Sequence, residues 1–149
     1  MKLSTKGRYA TRALLDLALH QNGEPVALKE IAQRQQISVR YLEHLMAPLI
    51  AAGIARSVRG AKGGVLLVKA PEEIKLSEVI NLLEGSIAPV ECIDKPELCA
   101  RSSSCVTRDV WSSLKKAMDA VLDSVTLRDL IERERQRQRE TLVPLMYTI

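Results

Sequence analysis

The feature that most restricts the fold is the spacing of apolar residues in the first half of the chain. Ala10, Ala13, Leu14, Leu17 and Ala18 recur at steps of three and four, which puts one apolar stripe on a helix that stops at Asn22-Gly23. After Pro25, a short second stripe of Leu28, Ile31 and Ala32 predicts a second helix. Ile37 interrupts it, and Ser38 offers its hydroxyl as an N-cap to a third helix striped by Leu42, Leu45, Met46 and Leu49 and ended by Gly53. Pro48, inside that helix, removes a backbone donor and is expected to bend the axis. Phe is absent and the aromatics are one Trp and three Tyr, so the core must be built from Leu, Val, Ile and Ala, which favours helices. With 149 residues, 46% of them hydrophobic and 27% charged, the chain suits one compact unit or two small ones.

Two helices joined by a turn of a few residues form a helix-turn-helix candidate, although such pairs also occur in bundles. The next stretch, "IARSVRGAKGGVLLV", narrows the reading. It has two short β-prone runs, Ile54 to Val58 and Val65 to Val68, around a loop with Arg59 and Lys62, which predicts a hairpin with a cationic tip. Gly60, Gly63 and Gly64 would let that tip approach a neighbouring surface closely, with Arg59 and Lys62 neutralising phosphates. The bland alternative is a tight hairpin and nothing more. A P-loop does not fit, because the glycine spacing is wrong and no helix follows.

On the third helix, Arg40, Tyr41, Glu43 and His44 lie opposite the apolar stripe, with Ser38 at its start. Arg40 can donate to a guanine edge or a phosphate; Glu43 can accept from a cytosine amino group or repel a misplaced phosphate. A solvated polar face is the competing reading. Charge supports the first: residues 1 to 70 carry eleven Lys and Arg against four acids, net +7, whereas residues 71 to 149 carry eleven against fourteen, net −3. No nucleophile with a positioned base and no plausible pair of catalytic acids is evident, so an enzyme is not expected.

The second half is organised differently. Leu76, Val79, Ile80 and Leu83 predict a connecting helix ending at Gly85. Thr107 can cap a long helix in which Trp111, Leu114, Met118, Val121 and Val125 recur at alternating steps of three and four, the repeat of a helix that packs on another helix. Burial within its own domain is one outlet for that face; a dimer is the favoured one, since two-fold symmetry suits DNA reading. Residues 132 to 140, "ERERQRQRE", are expected to form a solvated helical end. The expected divisions are a winged helix-turn-helix DNA-binding domain (1–70), a connecting helix (71–85), a cysteine-containing loop (86–106), and a dimerisation helix with a C-terminal tail (107–149). The fold class is thus mainly α with a small β-hairpin wing. No apolar leader and no stretch long enough to span a bilayer is found, so a cytoplasmic protein with reduced thiols and no membrane partner is expected.

All three cysteines, Cys92, Cys99 and Cys105, fall within fourteen positions, separated by six and then five residues. Structural zinc wants four ligands, often with a close Cys pair, and neither is present. Thiolate ligation of an iron–sulfur cluster fits better, with three unremarked free thiols as the alternative.

The opening "MKLSTKGRYA", then "LKEIA", "YLEHL", "PLIAAG", "SVRGAKGG", "LLEG" and "LDSVTLRDL" resemble the Rrf family of bacterial winged-helix transcription regulators, from residue 1 to about residue 131. The resemblance implies a homodimer on an imperfect palindrome of double-stranded DNA, with the third helix in a major groove, the wing along the flanking backbone and the long helices pairing the subunits. It also implies that Cys92, Cys99 and Cys105 ligate an iron–sulfur cluster. The family's cluster regulator has a histidine three residues after the last cysteine, where this chain has Arg108, and its nitric oxide sensor uses an acid of the partner's first helix, where this chain has Arg8. An iron with an exchangeable ligand then favours 4Fe–4S, with 2Fe–2S second, and Glu91, Asp94, Glu97 and Asp109 are nearby carboxylates. The expected function is a regulator, such as a repressor, that senses cluster or redox status. The alternative is a cysteine-metabolism repressor working with cysteine synthase: the tail "LMYTI" resembles that of the family's cysteine repressor, and the Ile149 carboxylate, with Tyr147 beside it, would enter the enzyme's active site. The bland reading of that tail is a small satellite core on the dimer interface.

Overall fold

A computed structural model of the chain describes residues 3–142. Three helices open it: α1 (Thr5–His20), α2 (Leu28–Gln35) and α3 (Val39–Ala51). Ser4 starts α1 by accepting from the N–H groups of Lys6 and Gly7, and Ser38 starts α3 by accepting from the Tyr41 N–H at 3.1 Å. Gln36 ends α2 in the left-handed region at φ 55°, so three residues suffice to turn from α2 into α3. Pro48 lies inside α3 without ending it. The expected stripes form the core: Ala10, Ala13, Leu14, Leu17, Ile31, Ala32, Leu42, Leu45, Met46 and Leu49 are each no more than 2% exposed.

The hairpin follows as β1 (Ala55–Val58) and β2 (Gly64–Leu67), antiparallel with Ala55 opposite Leu67 and Val58 opposite Gly64. Val26, in the link between α1 and α2, exchanges two 2.9 Å backbone hydrogen bonds with Val65 and so ties the hairpin to the helices. This corrects the role expected of the wing glycines. Gly64 serves an internal approach, since a Cβ there would lie 2.1 Å from the Val26 carbonyl oxygen. Gly60, at φ 111° with open space around it, is the glycine that the turn itself requires.

A single 3₁₀ turn (Pro71–Glu73) leads into α4 (Leu76–Glu84), which buries Val79, Ile80 and Leu83 and ends at Gly85. The cysteine segment holds one short helix, α5 (Glu91–Asp94), and a second 3₁₀ turn (Pro96–Leu98) before α6 (Val106–Ser124). The long-helix repeat stops one residue short of the expected Val125. There the chain turns through a bridge in which the Leu76 N–H donates to the Val125 carbonyl and the Leu127 N–H to the Ile74 carbonyl, both at 2.8 Å. Thr126 and Asp129 then cap each other reciprocally to start α7 (Leu127–Leu142). Leu127 and Ile131 of α7 are 4% and 2% exposed in the same core as α1, and the charge run beyond them is largely exposed.

α6 has no buried residue. Its flank of Val106, Val110 and Val121 is 78%, 58% and 63% exposed in the single chain. A groove of 390 Å³ runs beside it, lined by Leu3, Ile87, Ala117, Met118, Val121 and Leu122. Among the described residues, no helix is long and apolar enough to cross a membrane.

Candidate nucleic-acid interface and cysteine loop

A polar brace ties α2, the helix before α3, to α1. Asp16 on α1 is 4% exposed and accepts from Arg34 Nε at 3.0 Å, an Arg34 terminal nitrogen at 2.7 Å and Gln35 Nε2 at 2.8 Å. This fork-to-carboxylate pairing locks the end of α2 to α1 and, through the hydrogen bond, raises the Arg34 pKa. Gln35 in turn accepts from Arg12 Nε at 3.0 Å, and the Arg12 guanidinium sits 5.0 Å from the centre of the Tyr9 ring. Tyr9 meets Tyr41 edge to face, with ring centres 6.2 Å apart. α3 therefore leaves the turn at an angle fixed by contacts from both other helices.

On the outer side of α3, Ser38, Arg40, Glu43 and His44 are exposed, whereas Tyr41 is half-buried against Tyr9. Ser38 spends its hydroxyl oxygen on the helix cap, which presents the first turn of α3 in fixed register. At the wing, Arg59 and Lys62 are exposed on either side of the Gly60 turn. Arg56 on β1 is a further exposed cation that sequence reasoning missed, although its place in a hairpin strand next to the tip was the available signal. None of Arg40, Arg56, Arg59 and Lys62 has an ion-pair partner among the described residues. Cations left unpaired at a helix start and a hairpin tip are suited to phosphates, which release counterions when neutralised.

The cysteine segment begins where α4 ends. Glu84, the last residue of α4, accepts from the Ser4 hydroxyl and from the Gly7 N–H at 2.9 Å, so its carboxylate sits on the N-terminus of α1. Gly7 admits it, because a Cβ there would lie 2.5 Å from Glu84 Oε1. The loop thus springs from a residue anchored on the start of α1. Cys92 lies half-buried in α5, Cys99 exposed after the 3₁₀ turn, and Cys105 half-buried at the N-cap of α6. All three are free thiols. The Thr107 hydroxyl, 3.2 Å from Cys105 Sγ, lowers that thiol's pKa, helped by the Arg108 backbone N–H.

In kind and number, this donor set fits three corners of an iron–sulfur cluster. The structure does not bring the thiols into a cage: among the described residues, no three His, Cys, Asp or Glu side chains converge on a metal position. Arg108 donates from Nε to the Cys92 carbonyl at 3.0 Å, and Arg8 reaches Thr5 Oγ1 at 3.4 Å, so neither offers iron a fourth donor. Glu91, Asp94, Glu97 and Asp109 are all exposed. The tail residues Tyr147 and Ile149, on which the cysteine synthase expectation rests, lie outside the described residues.

Residues 3–133 match the family described as Rrf2, iron-dependent transcriptional regulator. Protein rrf2 of Nitratidesulfovibrio vulgaris is 47% identical over 131 residues, covering 88% of this chain and 87% of that protein. The structure of CymR, the global cysteine regulator of Bacillus subtilis, superposes with a TM-score of 0.76 at 39% identity, covering 89% of this chain and 98% of that one. T. potens IscR superposes with the same TM-score of 0.76 at 42% identity, covering 93% of this chain and 91% of that one. A helix-turn-helix with a cationic wing, matched along nearly its whole length by winged-helix regulators, is not an enzyme: the chain belongs to the Rrf2 family of DNA-binding transcriptional regulators.

Proposed function

We propose that the chain acts as a homodimer on an imperfect palindrome of double-stranded DNA, and that its affinity responds to an iron–sulfur cluster held by Cys92, Cys99 and Cys105. The observation that carries the DNA reading is the set of unpaired cations on α3 and the wing, presented by helices that the buried Asp16 brace fixes in angle. Arg40 and Glu43 face base edges, and Arg56, Arg59 and Lys62 face the flanking phosphates. The exposed apolar flank of α6 supports the homodimer, as the surface on which a second copy packs.

The description of the family as iron-dependent and the likeness to an IscR support the cluster reading, together with three free thiols on one loop. When bound, the cluster would supply an iron–sulfur centre open to oxidation; with no fourth protein donor at Arg8 or Arg108, 4Fe–4S is favoured over 2Fe–2S. The chain's own part is mechanical. Glu84 ties the root of the loop to the start of α1, and Cys105 ends the loop at the start of α6, so any ordering of the loop acts on both the reading helices and the dimer helix. Two reading heads must sit about 34 Å apart to enter successive major grooves, so a small change in that linkage changes affinity.

The experiment is a salt titration of binding to a palindromic fragment by Arg59→Ala and Lys62→Ala. Each should weaken binding to every sequence and flatten the slope of log K against log salt by roughly one unit. Arg40 or Glu43 substitutions should change which bases are preferred. A wild-type salt slope in both wing variants would overturn the docking arrangement.

A further inference from the structure

The backbone hydrogen bonds of the cysteine segment beyond Cys92 are nearly all short-range. The Lys95 N–H donates to Glu91, Leu98 to Lys95, Cys99 to Pro96, Ser102 to Cys99 and Ser104 to Arg101. Such a segment holds local turns but has little to fix it against the rest of the fold. One bond departs from this pattern. Arg108 Nε donates to the Cys92 carbonyl at 3.0 Å, across sixteen residues, in a partly buried position. Its donor is charged, which makes it stronger than the neutral bonds around it. Arg108 itself is fixed in the first turn of α6, where its N–H donates to the Cys105 carbonyl at 3.1 Å. No carboxylate pairs with the Arg108 guanidinium among the described residues, so the Cys92 carbonyl is its polar partner.

We infer that Arg108 is a positioning residue for the cysteine loop: it clamps the Cys92 backbone to the foot of α6, where Cys105 already sits, and so presets two of the three thiols. Cys99 has only local bonds and is the donor left to move. As applied to metal binding, this rests on the cluster reading above. It gives this chain's Arg108 a different task from donating to iron: an arginine cannot ligate, but its charged Nε–H can hold a backbone carbonyl. The clamp also leaves a positive charge, in no ion pair among the described residues, on the segment whose sulfurs must be anionic to bind iron.

The test compares full-length wild type with Arg108→Ala and Arg108→Lys by amide hydrogen exchange of the iron-free protein and by iron retention after anaerobic reconstitution with iron and sulfide. Exchange of residues 91–98 should be about tenfold faster in Arg108→Ala, the factor expected for one lost bond from a charged donor. Protection in α1 to α4 should be unchanged, which shows that the variant is folded. Iron loss to a chelator should be faster in the same variant, with Arg108→Lys recovering part of both effects. Wild-type exchange in Arg108→Ala would overturn the clamp, and faster exchange with wild-type iron retention would overturn its role in metal binding. A wild-type protein that takes up no iron would instead remove the cluster reading, while the exchange measurement would still decide the clamp.

Discussion

Replacing Gly64 by Ala should unseat the wing. The added Cβ would lie 2.1 Å from the Val26 carbonyl oxygen, 2.5 Å from the Val26 carbonyl carbon and 2.9 Å from the Ala27 nitrogen, all of them backbone atoms. A relaxed carbon–oxygen contact needs about 1 Å more, so β2 and the Val26 segment must part by that amount. The two 2.9 Å hydrogen bonds between Val26 and Val65 cannot survive the shift. Losing them costs about 1 kcal/mol each, and the overpacking that remains costs about 1–2 kcal/mol more, for a total near 3–4 kcal/mol. Against the usual stability of about 5–15 kcal/mol that is a large fraction, equivalent to a fall of about 10 °C in Tm for a chain of this size. Urea denaturation followed by circular dichroism would measure it. Gly60→Ala is the control: at φ 111° with nothing within 4 Å, it should cost only backbone strain, about 1–2 kcal/mol. A wild-type urea midpoint for Gly64→Ala, or a larger loss in Gly60→Ala, would refute the reasoning.

Two further changes probe the polar framework. Asp16→Ala leaves the Arg34 guanidinium, with a third of its side chain exposed, without its carboxylate, and should destabilise the fold by about 2–3 kcal/mol in the same denaturation assay; a loss below about 0.5 kcal/mol would contradict the brace. Asp129 has its pKa lowered by the hydrogen bond from the Thr126 N–H and then by that from its hydroxyl. Its contribution to stability is therefore present above the unfolded carboxylate pKa of about 4 and is lost as pH falls through the lower folded value. The Tm difference between wild type and Asp129→Asn should be present at neutral pH and close in acid; a difference that persists unchanged into strong acid would contradict this cap.

Much of the fold was legible because it is local. The stripes of α1, α2 and α3 are written in steps of three and four, Ser38 announces a helix start, and the hairpin is framed by its glycines. What escaped depends on partners far apart in sequence. Nothing in a period-seeking reading pairs Val26 with Val65, so sequence alone points Gly64 to an outside surface. Asp16 stands out by no spacing of its own, yet it is the buried carboxylate that ties α2 to α1. Glu84 reaches Ser4 across eighty residues. The break before α7 does carry a local signal: Thr126 followed three residues later by Asp129 is a helix start, and it turns Leu127 and Ile131 into the core. At the candidate site, the exposed face of α3 and the wing cations were readable from type and spacing, as was the clustering of the thiols. The hold of Arg108 on the Cys92 carbonyl was not, since a side chain's choice of backbone acceptor leaves no pattern in sequence.

The most direct test of the central claim is the affinity of one protein preparation for one palindromic fragment, measured anaerobically with the cluster reconstituted and again after its removal. A brown protein carrying several irons per chain is expected, with a change of at least about tenfold in affinity between the two forms, the scale of an ordinary coupling energy. Equal affinity in both forms would contradict it.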